Sequence, residues 1–258
     1  MINVLLHGCN GRMGKAIEAI ASEDCGIAIC CGVDAVTDKN ASFPVYASCD
    51  EIPKDVAEGI DVVIDFSTAK AMDALLDFVT AYKLPCVLCT TGLSEEQTKK
   101  MHAAAKETAI LKSANMSVGI NLLLKILKEN AAVLDAAGFD IEIVEKHHKK
   151  KLDAPSGTAI ALGDAANEAL SREKTAYPYV YDRSARREER RQEEIGVSAV
   201  RGGTIVGDHD VIFAGNDEVV TFSHRAYSRS VFATGAVAAA KYLAGKPAGM
   251  YDMSKVVG

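Results

Sequence analysis

INVLLHGCNGRMGKAIEAIAS, residues 2–22, decides the fold. Its first residues are an apolar run closed by Gly8, the pattern of a buried strand. Residues 12–22 then carry Met13, Ile17 and Ile20 at helical spacing. Between strand and helix lies a G-x-x-G-x-x-G loop: Gly8, Cys9, Asn10, Gly11, Arg12, Met13, Gly14. Glycines at such a turn let backbone approach a pyrophosphate, and the helix N-terminus offers it unpaired N–H groups. The spacing is not the commonest G-x-G-x-x-G, and taken alone the loop is equally a tight turn without a ligand. Asp34, 20 positions after Gly14 at the end of the next strand, adds the acidic group that accepts hydrogen bonds from an adenosine ribose.

Working outward, strands are expected at 27–34, 61–67, 85–90 and 109–114, with helices at 69–82 and 94–107 between them. Ser94 and Gln97 have the spacing of a capping box. Strand and helix alternating in this way imply an α/β fold, a Rossmann-like doubly wound parallel sheet. The pattern changes after residue 117. A long helix (117–138), a strand (139–148) and a helix (153–171) precede short strands at 195–203, 204–209, 210–215 and 217–225, and a closing helix spans 228–245. These short strands look mostly antiparallel, so a second, α+β domain is expected. The division is 1–117 plus 228–258 for dinucleotide binding, and 118–227 for substrate binding and oligomerisation.

The nicotinamide half of a dinucleotide belongs at the ends of the fourth and fifth strands. There stand Thr90-Thr91-Gly92 and Ser113-Ala114-Asn115-Met116, small hydroxyl and amide groups that suit a carboxamide and a ribose. Asp34 repels a 2′-phosphate, and Ala35-Val36-Thr37-Asp38 supplies no cation to offset it; Arg12, Lys15 or Lys39 are the nearest candidates. NADH is the expected cofactor, with NADPH the alternative.

The chain has 258 residues and a formal net charge of −6, which argues against nucleic acid as a partner because phosphate binding needs a basic field. No apolar run approaches a membrane span, and MINVLLHGCNGRMG has neither a basic leader nor a cleavage site. All seven cysteines fall in the first 89 residues, an odd number at mostly apolar positions, which reads as free thiols in a reducing cytoplasm. Cys86-x-x-Cys89 has redox spacing but sits inside an apolar run, so core packing is expected of it. Residues 183–194, RSARREERRQEE, mix both charges and read as a solvated loop or hairpin tip.

EKHHKKKLDAPSGTA, residues 145–159, crowds two histidines and four lysines together in this acidic chain. A helix is expected to begin after Pro155, so Ser156, Gly157 and Thr158 form its first turn and present N–H and hydroxyl groups to an anion. With the Lys/His run beside that turn, two anion receptors stand side by side, which suits a small dicarboxylate. Crowded cations lower one another's pKa, so the same groups are candidate proton donors. A metal site from Glu145, His147 and His148 is disfavoured by the adjacent lysines, and no metal is expected. An exposed basic hairpin without a ligand is the plainer alternative. At this point a two-domain NAD-dependent amino-acid dehydrogenase and a dinucleotide-sensing regulator both remain open.

The block EKHHKKKLDAPSGTA closely resembles the signature of the 4-hydroxy-tetrahydrodipicolinate (dihydrodipicolinate) reductases of bacterial lysine biosynthesis. GCNGRMG, VIDFS, TTG, SANMSVGIN, VRGGTIVGDHDVIF and SHRAYSRSVFATGA resemble further family blocks, in family order, across nearly the whole chain. The resemblance implies NAD(P)H-dependent reduction of 4-hydroxy-tetrahydrodipicolinate to tetrahydrodipicolinate in diaminopimelate and lysine biosynthesis, by a homotetramer built through the second domain's sheet. It implies His147 as proton donor and acceptor, Lys151 as second donor, His148 as a substrate contact, and Gly157 and Thr158 as the clamp on a substrate carboxylate. Gly8 to Met13, Asp34, Thr90, Thr91 and Ser113 to Met116 match its cofactor contacts. Two positions depart from the pattern. Cys89 stands where the family has glycine and is carried as a cofactor residue on that basis. Ala35 stands where members favouring NADPH often have arginine.

Overall fold

The computed structural model describes residues 1–36, 41–170, 175–181 and 183–258. Thr37, Asp38 and Lys39, weighed above for cofactor choice, and Ser171 at the expected end of a helix lie outside the described residues.

The chain opens with β1 (Ile2–His7), α1 (Arg12–Glu23), β2 (Ile27–Val33), β3 (Val45–Tyr46), α2 (Lys54–Ala57) and β4 (Val62–Asp65). It continues through α3 (Met72–Ala81), β5 (Cys86–Leu88), α4 (Glu95–Ala104) and β6 (Ala109–Lys112). Next come α5 (Val118–Ala136), β7 (Asp140–His147), α6 (Gly157–Leu170), β8 (Tyr179–Val180), β9 (Ile195–Arg201), β10 (Gly207–Ala214) and β11 (Val219–Ala226). It ends with α7 (Ser230–Leu243) and β12 (Gly249–Tyr251). Two compact units result, Met1–Val118 with Ser230–Gly258, and Gly119–Arg229.

In the first unit every strand pair is parallel and the order is β12-β6-β5-β4-β1-β2-β3. This is the doubly wound arrangement, and its order reverses between β1 and β4, where such sheets bind ligands beyond the strand C-termini. Because strand side chains alternate, the sheet feeds two cores. Val4, Leu6, Val62, Ile64 and Leu111 pack with Ile17 of α1 and Val237 of α7 on one face. On the other, Leu5, Val63, Cys86, Leu88 and Ile110 pack with Leu75, Leu76 and Val79 of α3 and Met101 of α4. The Ser94–Gln97 capping box is present at the start of α4. The short β3 and β12, too brief for a hydrophobic pattern, extend the sheet from the five strands expected to seven.

The second unit is a five-stranded sheet ordered β11-β10-β7-β9-β8. Ile141, Ile143, Val197, Val211 and Phe213 pack on one face with Leu127 of α5 and Leu162 and Ala166 of α6. Two expectations are corrected here. The sheet is mixed, because β7–β9 and β8–β9 run parallel while β10 is antiparallel to β7 and β11. Moreover, 204–209 and 210–215 are not two strands. β10 runs unbroken through Asp208-His209-Asp210, whose polarity imitates a turn but whose backbone is paired on both sides.

The charged segment 183–194 is likewise not wholly solvated. Arg190 reaches Asp140 Oδ1 (2.7 Å), Glu142 Oε1 (2.9 Å) and the Ile141 carbonyl (2.9 Å), anchoring the segment to the start of β7. Among the described residues, no helix is long and apolar enough to cross a membrane.

Candidate active site

The glycine loop leaves β1 at Gly8, whose φ of 82° favours glycine and whose N–H donates to the Val33 carbonyl at 2.7 Å. A Cβ there would lie 2.6 Å from the Phe66 carbonyl oxygen, and one on Gly14 would lie 2.3 Å from that of Cys9. Gly11 is the N-cap of α1. The Asn10 N–H donates to Asp34 Oδ2 (3.0 Å) and the Val36 N–H to Asp34 Oδ1 (3.3 Å), so the carboxylate ties the loop to the end of β2. Asn10 Nδ2 donates to the Val36 carbonyl, while Asn10 Oδ1 is enclosed with no partner among the described residues. Cys9 turns its thiol into the core, where burial pushes it up to about 11, so this residue offers the loop its backbone only. Arg12 is exposed, and Met13 packs partly against the α1 face of the core. A cavity of about 280 Å³ is lined by Gly8, Gly11, Asp34, Ala35, Phe66 and Ser67, among others. A helix N-terminus without a side-chain cap, a buried acceptor with no partner among the described residues and a carboxylate at the strand end together fit a dinucleotide.

The expected nicotinamide side stands on a buried polar network that the sequence reading missed. Asp65 is fully buried at the end of β4 and meets His7 Nδ1 at 2.8 Å. Its Oδ1 also accepts from Ser67 N (3.1 Å) and Ser67 Oγ (2.6 Å), and its Oδ2 from Thr90 N (3.3 Å). Burial raises the Asp65 carboxyl, but these donors outweigh it and hold the group below the ordinary carboxylate range. Lys112, pushed down by burial, donates to the Thr90 carbonyl at 2.5 Å. Thr90 is thereby buried and fixed, whereas Thr91 is exposed. The Ser113–Met116 loop is folded on itself: Ser113 Oγ donates to the Asn115 carbonyl (3.1 Å), and Asn115 Oδ1 accepts from Ser117 N (2.8 Å). Ala114 is exposed and Met116 is buried. Cys86 and Cys89 pack into the two cores on opposite faces of the sheet, and burial drives both thiols well up. The sign of this network lay in polar residues closing apolar strands, His7 after NVLL and Asp65 after VVI.

In the second unit, β7 carries Glu145 and His147 on one face, since alternate residues of a strand share a side. Glu145 is fully buried. Its Oε2 receives His147 Nδ1 at 2.6 Å and Arg201 at 2.7 Å; its Oε1 receives the Ser156 N–H at 2.9 Å and Arg201 at 2.7 Å. Burial raises this carboxyl, but the Arg201, His147 and Ser156 hydrogen bonds outweigh it and keep it ionised. An ionised Glu145 fixes the proton on His147 Nδ1 and leaves Nε2 to exchange one. A Cβ at Gly207 would stand 3.1 Å from that Nε2, so the first residue of β10 leaves it room.

Ser156 is buried. Its Oγ accepts from the Ala159 N–H (3.1 Å), capping α6, and meets His209 Nε2 at 3.2 Å. Gly157 is exposed at the first position of α6, followed by the half-buried Thr158. His148 Nδ1 is enclosed with no partner among the described residues. Lys151 Nζ lies 2.9 Å from Asp153 Oδ1, and this contact holds the Asp153 carboxyl below its usual range. The structure therefore gathers His147, His148, Lys151, Ser156, Gly157 and Thr158 around one strand–turn–helix junction. Glu145, Arg201 and His209 brace it, and of these only Glu145 figures among the sequence candidates, within the disfavoured metal site; its oxygens accept hydrogen bonds from His147, Arg201 and Ser156.

The family model described as dihydrodipicolinate reductase, N-terminus, matches residues 2–116, and the model of the C-terminus matches residues 119–257. The chain is 51% identical over 257 residues to a 4-hydroxy-tetrahydrodipicolinate reductase of Caldanaerobacter subterraneus subsp. tengcongensis, covering 100% of this chain and 98% of that protein. It is 42% identical to one from Staphylococcus carnosus, covering 99% of each. A dipicolinate-bound dihydrodipicolinate reductase from Paenisporosarcina sp. TG-14 shares the fold, with a TM-score of 0.79 at 22% identity over 98% of this chain and 97% of that one. From the two matched halves and the full-length identity, the chain belongs to the dihydrodipicolinate reductase family.

Proposed function

We propose that the junction from His147 to Thr158 is the acid–base and carboxylate-binding site of a reductase whose dinucleotide is held by the Gly8–Met13 loop and Asp34. As a family member the chain is a nicotinamide-dependent oxidoreductase, and its reaction is the reduction of 4-hydroxy-tetrahydrodipicolinate in lysine and diaminopimelate biosynthesis. The observation that carries the site assignment is the Glu145–His147 pair at 2.6 Å, which commits Nδ1 and leaves Nε2 as the other imidazole nitrogen, beside a capped helix N-terminus.

When bound, the dinucleotide supplies the hydride. His147 Nε2 exchanges the proton, because Nδ1 is committed to Glu145. Lys151 is the second proton donor, oriented by Asp153. The N–H groups of Gly157 and Thr158 and the Thr158 hydroxyl take one carboxylate, aided by the α6 dipole. His148, with its enclosed and unpartnered nitrogen, contacts the substrate. Ser156 acts through the cap. On the cofactor side, Thr90 with Thr91 and Ser113 to Met116 face the carboxamide half, and Cys89 contributes its backbone. Asp34 supports NADH over NADPH, since a carboxylate tied to Asn10 and Val36 accepts ribose hydroxyls and repels a phosphate. The family resemblance further supports a cytoplasmic homotetramer assembled through the five-stranded sheet.

The test is oxidation of NADH and of NADPH, in parallel, by freshly generated 4-hydroxy-tetrahydrodipicolinate, with light scattering to give the oligomeric mass. His147→Ala and Lys151→Ala are expected to lower kcat by about 10²–10⁴ with unchanged circular dichroism. Near-normal turnover in both variants would remove the assigned roles, and a preference for NADPH would overturn the Asp34 argument.

A further inference from the structure

We propose that Cys30 and Cys31 form a vicinal dithiol that peroxides close to a disulfide, and that closure weakens dinucleotide binding at the loop β2 supports. The dinucleotide part rests on the function proposed above.

The two thiols are brought together by an irregularity in the sheet. Val4 of β1 pairs with Ile29 and Leu5 with Cys31, so Cys30 is an extra residue opposite no partner. Bulges are rare in parallel pairs and re-aim side chains. Without one, consecutive strand residues point to opposite faces. Here Cys30 and Cys31 both pack with the α3 and α4 core, while Ile29 packs with the other. Their sulfurs stand 3.9 Å apart, and the Cys30 thiol also donates to the Val4 carbonyl at 3.3 Å. Cys31 is fully buried and Cys30 is partly exposed. Cys30 is the partly exposed member, and among the described residues β3 pairs with Gly32 and Val33 rather than beside it. The adjacent Cys31 thiol holds the Cys30 thiol below the ordinary cysteine range, which favours the reactive thiolate.

The chemistry balances with one peroxide. The Cys30 thiolate attacks a peroxide oxygen, the O–O bond breaks, and the leaving oxygen takes up a proton to give water from hydrogen peroxide; Cys30 becomes a sulfenic acid. The Cys31 thiol then attacks that sulfur, the S–O bond breaks, and a second water leaves as the S–S bond forms. Two thiols are oxidised and one peroxide is reduced.

Closure must distort the strand. Successive Cα atoms are about 3.8 Å apart across a trans peptide, shorter than the roughly 4.4–6.8 Å spanned by ordinary disulfides. The distortion falls just ahead of the cofactor loop. The Val33 carbonyl accepts from Gly8 N at 2.7 Å, and Asp34 holds Asn10 N at 3.0 Å. Strain of this kind makes a disulfide easily reduced.

The experiment treats the full-length protein with hydrogen peroxide, maps its cysteines by peptide mass spectrometry and titrates NADH by fluorescence before and after. The expected result is a peptide carrying Cys30 and Cys31 that has lost two hydrogens, with the Kd for NADH raised about fivefold or more. Dithiothreitol should restore both, and Cys30→Ser should show neither. Cys31→Ala is the second control, expected to give a sulfenic or higher acid at Cys30 but no disulfide. Overoxidation of Cys30 in the wild type without a disulfide would overturn the dithiol, and a mapped disulfide with unchanged Kd would overturn the coupling. If reduced protein fails to bind NADH, the cofactor reading falls and the coupling with it, while the peptide map still decides the dithiol.

Discussion

Glu145 is the residue on which the proposed carboxylate site turns. It is fully buried and accepts from Arg201, His147 and the Ser156 N–H. Removing one partner of such a buried arrangement leaves charge uncompensated, at a cost of about 3–5 kcal/mol. Glu145→Ala should therefore lower the urea midpoint sharply. Glu145→Gln should fold better yet lower kcat more than it raises KM, because the amide no longer fixes the His147 tautomer; equal kcat in Gln and wild type would show that orientation is immaterial. His209 supplies a pH test. Burial, and then the positive field of His147, push it down to about 4. The unfolded chain takes up this proton near pH 6.5 and the folded one does not, so stability is full above that value and falls as pH drops toward 4. Unfolding at pH 5 should cost about 2 kcal/mol less than at pH 7 from this group alone. His209→Gln, which retains a donor toward Ser156, should flatten that slope in urea titrations. At this scale the crowding around His147 and Lys151 is visible in the sequence, and their proposed roles come from the family resemblance. Arg201 and His209 come from distant strands and carried no local signal, since only β7–β9 and β7–β10 pairing brings them to Glu145.

The elements were legible wherever hydrophobic period was long, as in β1, α1 and α5. They were misread where polar residues are buried in pairs. Asp210 sits in mid-strand because Ser223 (2.6 Å) and Arg225 (3.0 Å) satisfy it, partners invisible before β11 is placed beside β10. Close packing between elements is equally hidden in a one-dimensional pattern. In α7, Gly235 looks like a defect in an alanine-rich helix. A Cβ there would lie 1.7 Å from the Met116 carbonyl oxygen, backbone that has no rotamer to change. Gly235→Ala should therefore push α7 from the Ser113–Met116 loop at about 3 kcal/mol or more, lowering Tm by roughly 10 °C. The same variant should raise the Kd for NADH if that loop faces the nicotinamide. A melt within a degree or two of wild type would mean that the helix shifts freely.

Charge organises the whole molecule. A chain of net charge −6 repels a dicarboxylate at long range, so its basic turn must act against the global field. Within residues 146–151 the lysines are not equivalent. Lys146 lies 3.6 Å from Asp210 and Lys151 2.9 Å from Asp153, so each is largely neutralised by a neighbour. Lys149 and Lys150 are exposed and form no ion pair with a described residue. Their field reaches solvent, screened over about 8 Å at physiological ionic strength. They should raise the encounter rate with a dianion without touching the chemical step. Lys149→Gln/Lys150→Gln is then expected to lower kcat/KM about threefold at low salt, to leave kcat unchanged, and to flatten the fall of kcat/KM with added salt. The variables separate cleanly: a matching loss in kcat would mean that one of these lysines enters the reaction, whereas an unaltered salt dependence would mean that attraction comes from the α6 N-terminus and His148 alone. The three outcomes thus assign the exposed lysines of residues 145–151, the most conspicuous feature of the sequence, to steering, to chemistry or to neither.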